Sequence, residues 1–349
     1  MQFHLGFTLV ELIVVMAIVG LLISLALPAL GKARASAQRV GCVNNLKNIG
    51  LGVQGFEVVH SRLPATGFFY DSLGVTGLHH SWVVQILPHV DQANLYNSWN
   101  FDLPITDPVN EPLTRTRMPL FICPVDITRS TSEEPQGDLS YVVNGGIGST
   151  MRFNDVPDCP IAYLLGPVDL DADGSICPAV GEDEEDKKYF KGMCLFFIEN
   201  WKSPGGTSRF HSLGDIRDGT SQTFMVSENY RVGYSPDDPR ASFASPLPSQ
   251  AAFHVGFPCT TVTCLPGTVD YTRSNAGDSA INSGRSKPEG ESPVPNSFHV
   301  GGVNMAYADG HVAFLNEDID GRVYAALSSP QGTTLYGTPL EQQIISGGF

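Results

Sequence analysis

The sequence has little charge, and positive charge is the scarcer sign. Lysine and arginine together number 21 against 36 aspartates and glutamates, so only 16% of the 349 residues are charged and the formal net charge is −15. A chain this acidic is not expected to bind nucleic acid through a basic surface. Glycine (36) and proline (25) are plentiful by contrast, which favours a loop-rich β domain over a helical bundle.

Common catalytic and metal-binding motifs are also missing. The chain has no GxSxG elbow, HExxH pair, P-loop or dinucleotide fingerprint, so the sequence does not favour an enzyme. None of the seven cysteines forms a CxxC pair, which leaves a zinc or dithiol redox motif with little support. Cysteines in this number suit an oxidising compartment, and the odd count leaves at least one thiol unpaired or intermolecular. The candidate disulfides are Cys259 with Cys264, Cys159 with Cys177, and Cys42 with Cys123.

A long uncharged run lies near the N-terminus. It extends from Leu12 to Gly31, between Glu11 and Lys32, and a helix of this length spans roughly 30 Å, enough to cross a bilayer. A secretory signal has a basic start, a shorter apolar stretch and a cleavage site after it. Here a Gly6-Phe7 junction precedes the apolar run instead.

The string Gly6-Phe7-Thr8-Leu9-Val10-Glu11 resembles the class III leader of type IV prepilins. The resemblance implies that a prepilin peptidase/N-methyltransferase cuts between Gly6 and Phe7 and methylates Phe7. It also implies that Glu11, the fifth residue of the mature chain, pairs with the amino group of Phe7 on a neighbouring pilin-like subunit or a second copy of this chain. The alternative is that Glu11 lies near the lipid headgroups, solvated and without a partner.

Charge and resemblance disagree about orientation. The six-residue leader has no lysine or arginine, whereas residues 31–62 carry a net charge of +4 from Lys32, Arg34, Arg39, Lys47, Arg62 and Glu57. The positive-inside rule would place that segment in the cytoplasm. The prepilin resemblance implies the reverse, a single-pass protein of the bacterial inner membrane whose large domain is periplasmic or at the cell surface, and we adopt this orientation.

Hydrophobic spacing predicts the remaining organisation. Apolar residues recur at alternating threes and fours after the span, which predicts an amphipathic helix over 32–60. We therefore divide the chain into a leader (1–6), a transmembrane helix (7–31), this continuation (32–60) and a globular domain (61–349). Helical patches are predicted around 81–88 and 92–96, surface loops over 231–252 and 272–297, and strands at Leu139–Val143, Met193–Ile198, Thr223–Glu228, Gly302–Ala308 and His311–Leu315.

Several blocks resemble the DUF1559 family of bacterial prepilin-type proteins. They are the CVNNLKNIG block from Cys42, the FICPVD block from Phe121, the IRDGTS block from Ile216 that leads to Glu228, and His299 followed by nine residues and Asp309-Gly310, the family's H-X9-DG signature. The resemblance implies an α+β, pilin-like fold, in which a long N-terminal helix packs on a mainly antiparallel sheet with long loops.

The H-X9-DG block predicts a β-hairpin. Asp309-Gly310 fits a type I′ turn, which needs positive φ at both residues. His299 and His311 would then meet across the strands as metal ligands or a proton relay. The interpretation we favour is plainer, namely that His299 makes a structural hydrogen bond to a neighbouring loop.

A second candidate site is acidic. Asp169, Asp171 and Asp173, followed by Gly174, match the first half of an EF-hand-type calcium loop, but the twelfth position is Val180 instead of a glutamate. The segment is either a weak calcium site or a solvated acidic turn. Calcium is the cofactor that the sequence suggests.

Two functions remain open. The leading hypothesis is a pilin-like structural subunit of a type IV pilus or a type II secretion pseudopilus. The alternative is a membrane-anchored module that binds a solute or glycan outside the cytoplasm, because residues 61–349 exceed what a minimal pilin domain needs.

Overall fold

A computed structural model describes residues 9–69, 78–127, 137–148, 192–200, 211–232, 242–256, 269–287, 292–337 and 341–342, and the structural statements below concern these residues.

One helix of 52 residues, α1 (Leu9–His60), forms the N-terminal part of the structure and is about 78 Å long. Its second half buries one stripe of apolar side chains at spacings of three and four: Cys42, Leu46, Ile49, Val53 and Phe56. In the first half, Leu9–Leu27 is apolar enough to cross a membrane, and none of it is buried within the structure. The helix therefore has an exposed apolar half and a half that belongs to the globular core.

A five-stranded sheet packs against the second half of α1. Its strands are β3 (Leu139–Gly148), β5 (Phe224–Val232), β6 (Ala252–Gly256), β7 (Gly302–Tyr307) and β8 (Val312–Asn316), in the order β6-β3-β5-β7-β8. All neighbouring pairs are antiparallel except β3 with β6. The helix contacts β5, β7 and β8, which places the middle and one edge of the sheet beneath it.

A smaller sheet and short helices complete the core. The sheet has the order β2-β1-β4, from β1 (Gly67–Phe69), β2 (Leu78–Ser81) and β4 (Ile198–Asn200). The short α-helices are α2 (Trp82–Ile86), α3 (Ala93–Ser98), α4 (Glu111–Thr114), α5 (Pro248–Ala251) and α6 (Gly321–Ser328). The 3₁₀ turns are Leu87–His89, Pro119–Phe121, Leu213–Asp215, Thr220–Gln222, Tyr271–Asn275, Gly277–Ser279, Ser283–Ser286 and Gly332–Leu335.

Polar as well as apolar contacts hold α1 on the domain. The guanidinium of Arg39 lies 3.9 Å from the centre of the Phe314 ring on β8. Gln54 donates a hydrogen bond of 3.0 Å from Nε2 to the carbonyl of Ala308. Arg39 is one of the cations in the basic segment after the apolar run, so this charge is engaged with the globular domain.

The architecture confirms the predicted α+β class, with a long N-terminal helix on a sheet that is mostly antiparallel. One predicted strand, Met193–Ile198, is wrong, because only its last residue lies in a strand. Met193 is helical and residues 194–197 are irregular; all five are buried, and the Phe196 N–H binds the segment to the sheet by donating to the carbonyl of Asn144. Burial without a regular strand partner explains why an apolar run misled the prediction.

The surface-loop prediction over 231–252 is wrong in its described part, and that over 272–297 is only partly right, because among its described residues only 272–273, 276–278 and 285–286 are exposed. Residues 242–252 contain α5 and the start of β6, and most of their side chains are buried. Within 272–297, Asn282 and Asn296 are buried because their side chains bond to backbone groups of the same segment. Polar composition predicted exposure, but internal hydrogen bonds satisfy these groups inside the fold.

Candidate functional site

Of the predicted N-terminal site residues, only Glu11 lies among the residues that the structure describes. Gly6 and Phe7 precede the first described residue. Glu11 is exposed in the first turn of α1, where the partial positive charge of a helix N-terminus favours a carboxylate. The calcium candidates Asp169, Asp171 and Asp173 lie outside the described residues.

The described cysteines fall into two groups. Cys42 on α1 forms a disulfide with Cys123, which follows the 3₁₀ turn Pro119–Phe121. Cys194 is unpaired and fully buried, and burial raises the pKa of its thiol. A buried, protonated thiol is a poor candidate for an intermolecular bridge. The other paired candidates, Cys159 with Cys177 and Cys259 with Cys264, lie outside the described residues.

The predicted hairpin is present, but its turn is of another type. Of the two turn residues only Gly310 has positive φ, at 90°, so the turn is not type I′. The Gly310 N–H donates to the Tyr307 carbonyl and the Tyr307 N–H to the His311 carbonyl. This pattern fits a three-residue loop built on a type I turn, in which the glycine takes the left-handed position.

His311 does not meet His299. Its Nδ1 lies 2.6 Å from Oδ1 of Asp309, and its ring stacks on Tyr307 with centroids 4.0 Å apart. Burial raises the pKa of Asp309, but the hydrogen bonds from His311 outweigh it and lower that pKa overall. The two histidines lie beyond opposite ends of β7, a strand of roughly 20 Å. The prediction that they share a metal site or a proton relay is therefore wrong.

His299 is instead paired with Glu228 in the core. Nε2 of His299 lies 3.2 Å from Oε1 of Glu228, and both side chains are almost fully buried. Oε1 also accepts a bond of 2.9 Å from Nδ2 of Asn304, and Oε2 accepts one of 2.8 Å from the Asn304 backbone N–H. Two donors from Asn304 and the facing imidazole nitrogen of His299 thus surround the buried carboxyl group, and a buried polar group requires such partners. The partner of His299 is a strand carboxylate, whereas we had predicted a neighbouring loop.

Strand geometry explains where Glu228 lies. β5 pairs with β7 as far as Ser227 and Met305. The next residue, Glu228, does not bond β7 through its carbonyl, which instead accepts a hydrogen bond from the Asn296 N–H. At this point the Glu228 side chain takes over the Asn304 N–H that strand pairing would otherwise use. A carboxylate is therefore held where the sheet ladder between β5 and β7 stops.

A hydrogen-bonded loop carries His299. Arg285 donates to the carbonyls of both Ser297 and His299, each at 3.0 Å. The Ser297 hydroxyl donates to the Gly302 carbonyl and accepts the His299 N–H, while Oδ1 of Asn282 accepts the Ser297 N–H. These bonds on both sides of His299 fix the direction from which its ring approaches Glu228.

The disulfide lies directly beside this pair. Sγ of Cys123 is 4.0 Å from Oε1 of Glu228. Asn45, one turn after Cys42, donates a bond of 3.1 Å to the Ile122 carbonyl and so holds the same loop against α1. Gly41 allows this approach, because a Cβ there would lie 3.1 Å from Cγ of Pro124.

A small pocket opens next to Glu228. Its empty volume, including the part open to solvent, is about 190 Å³. The residues that line it are Cys123, Asp126, Ser140, Glu228, Tyr230, Asn296, Ser297 and Phe298. Asp126 in its wall is buried and accepts a bond of 2.7 Å from the Ser140 hydroxyl. Burial, and after it the Glu228 carboxylate, raises the pKa of the neighbouring Tyr141 well above its ordinary value, so this phenol stays neutral.

Sequence reasoning did not connect these residues. It treated the cysteines as a disulfide, Glu228 as the end of a motif and His299 as part of the hairpin block, and it did not single out Asn304 or Arg285. A usable signal was Asn304 itself, a polar residue inside a strand whose neighbours are apolar. Such a residue needs a buried partner.

Comparison with known proteins gives two family matches. The family described as a protein of unknown function (DUF1559) matches residues 31–161 and 170–322, and the prokaryotic N-terminal methylation motif matches residues 1–27. No solved structure matches.

A curated relative matches a short part of the chain. The competence protein ComGC of Halalkalibacterium halodurans is 39% identical over 59 residues, which are 17% of this chain and 58% of that relative. The match thus spans under two thirds of the relative's length. Together with the long apolar helix, these matches support a pilin-like protein. The DUF1559 match covers most of the sequence, and we conclude that this chain belongs to the DUF1559 family and begins with a prokaryotic N-terminal methylation motif.

Proposed function

We propose that this protein is a structural subunit that prepilin peptidase processes and methylates, that α1 anchors in the bacterial inner membrane, and that assembles with pilin-like subunits or further copies of itself. The globular domain lies on the periplasmic or outer side. The observation that carries the proposal is the division of α1 into two halves. Leu9–Leu27 is apolar and exposed, whereas the half from Cys42 to Phe56 is packed into the domain.

An exposed apolar helix of this kind needs a lipid or protein environment. Lipid covers it while the subunit is anchored, and the helices of neighbouring subunits cover it in an assembly. Glu11 gives this surface a polar point at one depth. A carboxylate inside the apolar region costs roughly 2.5–3.5 kcal/mol on insertion scales, and a cationic partner on a neighbour offsets that cost.

Among the residues that the structure describes, the pocket beside Glu228 gives the binding-module alternative little support. The pocket beside Glu228 leaves only about 10 Å³ for the centres of water-sized molecules, which is room for roughly one water. Sites for small molecules typically occupy ~300–1,000 Å³. Immunogold labelling separates the two functions, because an assembling subunit gives labelled fibres and an anchored module gives uniform labelling of the cell surface.

Processing is the first prediction. In cells that contain a prepilin peptidase, the mature chain begins at Phe7 and carries one N-methyl group. Mass spectrometry of the N-terminal peptide from membrane-extracted protein measures both features. The Gly6→Leu variant is the control and retains the leader. Wild-type protein that keeps Met1, or that is cut after residue 28, contradicts the proposal.

The second prediction concerns Glu11. Replacing it by alanine leaves membrane insertion intact or improves it, since a charge leaves the apolar region, but it abolishes or strongly reduces incorporation into assemblies. Shear fractionation followed by immunoblotting gives the ratio of assembled to membrane-bound protein. Val10→Ala, at the adjacent exposed position, is the matched control and keeps the wild-type ratio. A wild-type ratio for Glu11→Ala means that the carboxylate has no partner in assembly.

A further inference from the structure

Four potential metal ligands converge beside the sheet, from parts of the sequence that are far apart. One ligand atom from each lies within 4.8 Å of all the others, and all four residues are buried. We call this group the Cys–Glu–His cluster; its members are Cys42, Cys123, Glu228 and His299. With the disulfide closed, the two sulfurs bond each other and are unavailable as thiolate ligands.

The distances lie near those around one tetrahedral zinc ion, and small side-chain shifts would bring the ligands to that spacing. Zinc binds thiolate sulfur at ~2.3 Å, imidazole nitrogen at ~2.0–2.1 Å and carboxylate oxygen at ~2.0–2.2 Å, so neighbouring ligands lie roughly 3.3–3.8 Å apart. The nitrogen of His299 and the oxygen of Glu228 are 3.2 Å apart, and the oxygen is 4.0 Å from Sγ of Cys123. Opening the disulfide lets the sulfurs separate toward the same spacing.

The surroundings resemble the support that metal ligands need. Asn304 holds the Glu228 carboxylate with two hydrogen bonds, and Arg285 and Ser297 hold the loop of His299. Such partners fix the orientation of ligands around a metal. The small pocket whose wall includes Cys123 and Glu228 lies directly beside the cluster.

Charge decides which form the reduced sulfurs take. Two thiolates beside Glu228 would place three negative charges in a buried space, so the metal-free thiols keep their protons and give them up when a cation binds. A divalent ion neutralises two of the three charges. Thiolate and imidazole ligands select zinc over calcium or magnesium.

We propose that the Cys–Glu–His cluster exists in two states, a disulfide and, once that disulfide is reduced, a zinc site. A dithiol reductant supplies two electrons and two protons: its own sulfurs form a disulfide, the Cys42–Cys123 bond breaks and two thiols form. Zinc then replaces the two thiol protons, which pass to solvent. In both states α1 stays linked to the loop after Pro119–Phe121.

The test uses the full chain in detergent, before and after reduction with a phosphine and removal of the reductant without air. Native mass spectrometry after addition of one equivalent of zinc counts the bound ions. The reduced protein is expected to retain one zinc ion and the oxidised protein none. Cobalt in place of zinc gives the sulfur-to-metal charge-transfer band and intense visible bands of a tetrahedral thiolate site.

Three variants locate the ion. Cys42→Ser with Cys123→Ser abolishes binding, His299→Ala lowers the affinity at least tenfold, and Cys194→Ser, at a buried thiol elsewhere, leaves it unchanged. Circular dichroism confirms that each variant is folded before binding is measured. Reduced wild-type protein that retains no zinc overturns the proposal, as does zinc that persists in the double cysteine variant.

Discussion

Replacing both Cys42 and Cys123 by serine is expected to lower the free energy of unfolding of the globular domain by about 4–5 kcal/mol. The two cysteines are 81 residues apart in the sequence, so the disulfide removes a large loop-closure entropy from the unfolded chain. Both side chains are also buried in the core between α1 and the sheet. The loss would be a large part of the stability of an ordinary domain.

Urea unfolding of the full chain in detergent, followed by tryptophan fluorescence, measures this change. Trp82 is fully buried in α2 and reports on the loss of the core. The reference is oxidised wild-type protein, in which the disulfide is closed, and a chelator is present so that bound zinc adds no stability to any chain whose thiols are free. The control is Cys194→Ala, which removes a thiol but no cross-link and is expected to cost about 1 kcal/mol. A loss below ~2 kcal/mol in the double variant would mean that the unfolded chain is already compact there.

The second large effect is a loss of stability in mild acid. Burial lowers the pKa of His254 from 6.5 to about 4, against a hydrogen bond with the Gly145 backbone that raises it. Burial likewise lowers the pKa of His79 to about 4, and it lowers that of His80 well below its ordinary value. These histidines are neutral in the folded protein, whereas the unfolded chain binds protons as the pH falls below 6.5. The contribution of His254 and His79 is therefore complete above pH 6.5 and is lost between pH 6.5 and 4, and that of His80 is also lost as the pH falls below 6.5.

The expected size is roughly 3 kcal/mol for His254 at pH 4, since each pKa unit corresponds to about 1.36 kcal/mol. Carboxylates also titrate in this range, so a variant must isolate the histidine. In His254→Phe the free energy of unfolding should fall less steeply with acid, by up to about 1.36 kcal/mol per pH unit. Phe253→Leu, the adjacent buried residue on β6, is the control: it lowers stability equally at every pH. The expectation would be contradicted if the free energy of unfolding fell equally steeply with pH in His254→Phe and in wild type.

The spacing of apolar residues along the sequence predicted the second half of α1 and the hairpin of β7 and β8. The stripe from Cys42 to Phe56 recurs at threes and fours, and the structure buries that stripe. The hairpin around Asp309 and Gly310 was visible because alternating residues flank a turn. Its turn type was not, because the same dipeptide serves a two-residue loop with both φ positive or a three-residue loop with only the glycine positive.

The cluster around Glu228 could not be predicted in the same way. Glu228 is 71 residues from His299 and 76 from Asn304 in sequence, and the contacts depend on where β5 stops pairing with β7. The error over 272–297 has a related cause. Asn282 and Asn296 look like surface residues by composition, but they are buried because they satisfy backbone groups that the sequence does not display.

The cross-link on α1 also fixes a direction. The disulfide at Cys42 and the contact of Arg39 with Phe314 prevent the helix from turning about its axis relative to the domain. From Glu11 to Cys42 the helix makes roughly 8.6 turns. The direction in which Glu11 projects from the helix axis is therefore fixed relative to the globular domain. Inserting one residue between 31 and 38 would rotate the direction of Glu11 by about 100° relative to the domain. Inserting four residues would leave it within about 40° of its original direction. In an assembly built through Glu11, the rotation between successive subunits therefore depends on how α1 is fixed to the globular domain within each subunit.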